Sequence, residues 1–225
     1  MSTDTVQGNF LYRNLANATS ILGVLPLVIL FLDDGYKYVV PLIIFNNIMD
    51  DLDGILAAKL NIRSRFGADL DNVCDAVAHV ILALVVGAHF GSFVMAAGAV
   101  AAGAIILRVV TRINPGSANG TGSPTNELMR HMLFTLLLAG QFDFPTEYVL
   151  ISIFLLHSVS MLVPFTMPAL LRSRIKAATL VAVVNVALLA AWLVPAVTPV
   201  IAAAFIGSYL YALAAGAGLW RKQDK

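Results

Sequence analysis

The sequence predicts an all-α protein: a polytopic transmembrane helix bundle of about eight spans with both termini in the cytoplasm. Three observations predict it. First, 59% of the 225 residues are hydrophobic and only 12% charged, with a mean hydropathy of +0.85. A water-soluble domain of this size needs far more polar surface. Second, apolar runs long enough to cross a bilayer recur between residues 15 and 220. Third, when those runs are threaded back and forth, every lysine and arginine except Lys37 collects on one side. That bias marks the cytoplasmic face, and an odd number of spans destroys it.

The first span is expected over 14–32. It runs into Phe31, Leu32, Asp33 and Asp34 rather than a small-residue cleavage site, so it reads as a retained helix, not a secretion signal. Asp33-Asp34-Gly35 breaks the chain before a second span over 36–59. A short charged turn leads to a third over 67–90, and Gly91 separates that from a fourth over 92–113. There Ala96, Ala97, Gly98, Ala101 and Ala102 suit close helix packing. Beyond the Pro115-Gly116 breaker, Ser123, Pro124 and Glu127 read as the start of a short fifth span over 124–141. Phe144-Pro145 and Pro199 mark joints near spans over 146–167, 174–194 and 197–220. Residues 1–225 read as one membrane domain. The net charge of +1 supplies no basic field for nucleic acid. The single cysteine, Cys74, excludes an intrachain disulfide and reads as a small buried hydrophobe. No Gly-x-Ser-x-Gly element, zinc pattern or phosphate-cradling glycine loop is present.

The acidic residues are concentrated at one joint. Asp50, Asp51 and Asp53 close the second span; Asp69, Asp71 and Asp75 open the third. Charge beside a span is costly and faces a cavity, a partner or an ion. Asp50 and Asp53, three apart, share a helix face, as do Asp71 and Asp75, four apart. A short turn makes the two helices antiparallel neighbours, so these four carboxylates are expected to converge. Their mutual repulsion calls for Mg²⁺ or Mn²⁺, hard cations that prefer oxygen ligands. Asp51 and Asp69 point off the shared faces. Gly54 and Gly67, lacking side chains, leave room for a ligand or for close helix packing.

These residues resemble the CDP-alcohol phosphatidyltransferase family, whose pattern is D-x-x-D-G-x-x-A-R, eight residues, then G-x-x-x-D-x-x-x-D. Asp50, Asp53, Gly54, Ala57, Gly67, Asp71 and Asp75 occupy the matching places. The arginine place is held by Ala58, followed by Lys59, which is turned about 100° away. Ser64-Arg65-Phe66-Gly67, the segment from Leu107 to Asn114, Gly122-Ser123-Pro124 and Asn14-Leu15-Ala16-Asn17 are similar to the phosphatidylserine synthase branch.

The resemblance implies a donor such as CDP-diacylglycerol, a small alcohol acceptor with serine favoured, and release of CMP. It implies a two-metal site of Mg²⁺ or Mn²⁺ held by Asp50, Asp53, Asp71 and Asp75, with Asp75 also the general base. Gly54, Ala57, Gly67 and Lys59 would bind the CDP moiety. Arg108, Arg112 and Asn114 would bind the acceptor or the donor phosphate, since paired guanidinium groups recognise carboxylates; Arg130 and His131 are further candidates. His79, one turn past Asp75, is expected to face a neighbouring helix, and His89 and His157 to be structural or interfacial. The resemblance also implies a homodimer in the cytoplasmic membrane, with its active site at the inner face. The alternatives are another acceptor, such as inositol phosphate or glycerol phosphate, or a non-catalytic metal-binding member of the family.

Overall fold

The computed structural model describes residues 10–114, 116, 122–168 and 177–223. Among them the secondary structure is helical, with no strand. The helices are α1 (Phe10–Arg13), α2 (Leu15–Val24), α3 (Val39–Lys59), α4 (Arg65–His89), α5 (Ser92–Ile113), α6 (Thr125–Ala139), α7 (Thr146–Leu162), α8 (Ala177–Leu193) and α9 (Thr198–Gln223). Pro115, Arg172, Arg174, Lys176, Lys225 and the first residues of the expected span 174–194 lie outside the described residues.

The differences from the sequence-based expectations have local causes. The expected first span is not one α-helix. After Val24 it tightens into a 3₁₀ segment, Leu25–Phe31, with Pro26 at its start; proline lacks the N–H of the regular ladder and its ring crowds the preceding turn. The seventh helix stops at Leu162, because Val163 precedes Pro164 and is held extended at ψ 146°. Helix α4 begins two residues before the expected third span: Ser64 is its N-cap, accepting a 2.9 Å hydrogen bond from the Gly67 amide. Such a cap contributes about 1 kcal/mol.

Among the described residues, three stretches are long and apolar enough to cross a membrane: Arg65–His89, Ser92–Ile113 and Pro195–Lys222. Leu15–Phe31, Thr146–Leu162 and Ala178–Leu193 are shorter apolar stretches. At 15 residues, α6 spans only about 22 Å. It lies inside the bundle, with Leu128, Met132, Leu133 and Phe134 fully buried. Phe93 and Val200, by contrast, are more than 70% exposed on the outside. Helix association in lipid rests on close packing, and α4 against α5 illustrates it. A side chain at Gly98 would come within 2.9 Å of the Ala83 carbonyl. Gly122 presses against the Ser160 carbonyl with no room for a Cβ. The Ser123 amide donates to that carbonyl at 2.9 Å, and the hydroxyls of Ser123 and Ser160 meet at 2.8 Å. These contacts fix where α6 starts.

Candidate functional site

The turn between α3 and α4, with Asn61 at φ 54°, reverses the chain. The last turns of α3 therefore lie beside the first turns of α4. Carboxylate oxygens of Asp50, Asp53 and Asp71 all lie within 4.8 Å of one another. Asp53 and Asp71 are in hydrogen-bonding reach, and Asp75 is in reach of Asp50. Asp50, Asp53 and Asp71 thus meet, with Asp75 beside Asp50.

Like charges at that separation repel by roughly 3 kcal/mol per pair in a partly wetted protein environment. The cluster draws in neutralising and donating groups. Ser20 on α2 donates to Asp53, which is only 5% exposed. Asn126 on α6 donates to Asp50 at 2.7 Å. Arg112 acts electrostatically on Asp71. One oxygen, Asp71 Oδ1, is buried with no hydrogen-bond partner among the described residues. An orphaned carboxylate oxygen is costly and is the kind of group that a cation satisfies. The donor set is all oxygen, which suits Mg²⁺ or Mn²⁺ rather than zinc. Asp50, Asp53 and Asp71 could therefore hold a metal ion.

The neighbouring glycines differ from one another. Among the described residues a Cβ at Gly54 would meet nothing within 4 Å, so the face of α3 beside Asp53 is open there. A Cβ at Gly67 would lie 3.0 Å from Asn17 Oδ1, so close approach of α2 accounts for that glycine. Ala57 is half-buried, and Ala58 and Lys59 are exposed.

The two arginines expected to act together differ in burial. Arg108 is 7% exposed and donates at 3.1 Å to the carbonyl of Met161, in the last turn of α7. There it serves as a C-terminal helix cap, where a cation is favoured. Arg112, one turn further along, passes beyond the end of α7 and is exposed, as is Asn114. His79 pairs with Thr125 at 2.9 Å and so faces α6. His89 stacks on Tyr36 with ring centroids 3.4 Å apart. His131 and His157 meet at 2.7 Å in the core. Asp69 forms a long surface ion pair with Arg65 at 3.9 Å. Cys74 is a half-buried free thiol.

Asp51 does turn away from the cluster, but into a second polar network. It accepts from Asn47 at 3.2 Å and from Asn185, on α8, at 2.7 Å. Arg130 on α6 reaches Asn47 Oδ1 at 3.2 and 3.3 Å and Glu127 at 3.0 Å. Ser20, Asn47, Asn126 and Asn185 are absent from the sequence-based site. Their partners lie on distant helices, and the sequence carries no periodic signal for them.

Residues 13–163 match the family described as CDP-alcohol phosphatidyltransferase. Two curated relatives, from Helicobacter pylori strains J99 and 26695, are each described as a CDP-diacylglycerol–serine O-phosphatidyltransferase. The chain is 34% and 33% identical to them over 97 residues. That stretch covers 40% of this chain and 40% of each relative, so the chain matches less than half the length of either. The match over residues 13–163 takes in all four converging aspartates and the helices that position them, and by it the chain belongs to the CDP-alcohol phosphatidyltransferase family.

Proposed function

We propose that this protein transfers a phosphatidyl group from a CDP-diacylglycerol-type donor to the hydroxyl of serine, releasing CMP, in a reaction that depends on Mg²⁺ or Mn²⁺. The observation that carries the reading is the convergence of Asp50, Asp53 and Asp71 within 4.8 Å, with Asp75 against Asp50. The names of the two partial relatives support serine as acceptor.

Asp50, Asp53, Asp71 and Asp75 would hold two metal ions. When bound, such ions neutralise the donor pyrophosphate and make its phosphorus more electrophilic. Ser20 and Asn126 keep Asp53 and Asp50 in fixed orientations, as partners behind metal ligands do. The open face at Gly54 admits the cytidine diphosphate, with Ala57, Lys59 and Gly67 along its path. Asp75 takes the proton from the serine hydroxyl as the new oxygen–phosphorus bond forms and the bond to CMP breaks. Arg112 and Asn114 guard the donor-phosphate side, and Arg108 supports them by holding α7. The one-sided distribution of lysine and arginine supports eight spans with both termini in the cytoplasm, which puts the aspartates at the inner face of the cytoplasmic membrane. Family resemblance supports a homodimer.

The test is CMP release by purified protein given CDP-diacylglycerol, Mn²⁺ or Mg²⁺ and a panel of alcohols. Release should require metal, be greatest with serine and vanish in Asp75→Asn while the variant stays monodisperse. Absence of release with every acceptor refutes the enzymatic reading in favour of a non-catalytic metal-binding protein. Preference for a phosphorylated alcohol refutes serine.

A further inference from the structure

Arg130 lies one turn beyond Asn126 on the same side of α6. Asn126 reaches Asp50, and Arg130 reaches Asn47, three residues earlier on α3. Helix α6 therefore lays a polar ladder against α3, with one rung on the carboxylate cluster and the next about 5.4 Å deeper. That spacing is on the scale of a small amino acid. His79, one turn past Asp75, turns toward this same stretch of α6 through Thr125.

The deeper rung has a particular charge pattern. Arg130 and Glu127 form a 3.0 Å ion pair whose side chains are 15% and 23% exposed. The guanidinium lies over the Phe205 ring at 6.0 Å. Three of its five N–H donors are directed at Asn47 and Glu127, which leaves two for a ligand among the described residues. Asp51, tied to Asn47 and Asn185, adds a negative charge beside Asn47. A guanidinium and a carboxylate held side by side complement a zwitterion. A phosphorylated alcohol would meet one arginine amid several carboxylates, and an uncharged alcohol would leave the pair without complementary charges.

We propose that the Arg130–Glu127 pair reads the acceptor, Arg130 taking the α-carboxylate and Glu127 the α-ammonium, so that the acceptor class is a hydroxylated α-amino acid. The inference rests on the transfer reading above and moves acceptor recognition from Arg108 and Arg112 to α6.

The experiment uses the full chain in lipid nanodiscs with two readouts. One is the KM for serine, ethanolamine and CDP-diacylglycerol in CMP release. The other is equilibrium binding of radiolabelled serine in the presence of Mn²⁺ and CMP, which needs no turnover. Arg130→Gln should raise both the serine KM and the serine Kd by about 30-fold or more, the usual cost of removing one partner of a part-buried charge pair. It should narrow the preference for serine over ethanolamine, which has no carboxylate, and shift the donor KM by less than about threefold. Arg130→Lys should recover part of the loss, and Glu127→Gln should also weaken serine binding. These two carry the test if Arg130→Gln does not fold. Unchanged serine Kd in the folded variants, or no serine binding by the wild-type chain, overturns the inference. Wild-type serine binding without CMP release overturns the transfer reading and leaves the recognition site standing.

Discussion

Replacing Gly54 with alanine separates two reasons for a glycine inside a helix. The residue lies within α3, is exposed, and an added Cβ would meet nothing within 4 Å among the described residues. In the free protein the substitution therefore removes only the glycine penalty, a gain of about 0.8–1.0 kcal/mol. For a chain of this length that corresponds to roughly 2–4 °C in thermal unfolding. If the open face admits the cytidine diphosphate, the same methyl group intrudes on the donor. Crowding by one methyl group costs about 1–3 kcal/mol, which raises the donor KM by roughly 5- to 150-fold. Stability and donor affinity should thus move in opposite directions. Scanning calorimetry in detergent gives the first quantity, and CMP release against CDP-diacylglycerol concentration gives the second. Higher stability with an unchanged donor KM refutes the assignment of Gly54 to the donor path. Lower stability refutes the reading of that face as open.

Two more predictions concern neighbouring residues. Ser20→Ala removes the hydroxyl donor on Asp53 and should raise the Mn²⁺ concentration for half-maximal CMP release by about 10- to 100-fold. Ser20→Thr should behave like the wild type, and a wild-type response from Ser20→Ala removes that serine from the site. Ala58→Arg restores the charge that the family pattern has at this exposed position and should lower the donor KM; a neutral or raised KM means that Lys59 already supplies it.

What the sequence made legible was periodic or punctuated. The fourth span, drawn between Gly91 and the residues after Ile113, coincides with α5 at Ser92–Ile113. Spacings of three and four residues at Asp50, Asp53, Asp71 and Asp75 were enough to bring carboxylates together, because a short turn leaves antiparallel helices no alternative to adjacency. For Arg108 and Arg112 the same arithmetic left their surroundings open. Residues four apart share a face, but α7 ends between their levels, so one caps Met161 while the other stands exposed. Pairings such as Ser20 with Asp53, or Asn47 with Asn185, join residues 33 and 138 positions apart. They depend on how helices pack, and no pattern within one helix encodes that. Proline effects lay between these extremes. Pro26 and Pro164 were visible, yet their consequence, a 3₁₀ segment in one case and an early helix end in the other, depended on the backbone around each.

The most direct test of the account is a crystal structure of the protein grown with Mn²⁺ and measured at an X-ray energy where manganese scatters anomalously. The account predicts anomalous peaks between α3 and α4, with Asp50, Asp53 and Asp71 oxygens about 2.1 Å from the ion and Asp71 Oδ1 among them. Peaks confined to other parts of the protein, or four aspartates left without an ion at saturating Mn²⁺, would contradict it.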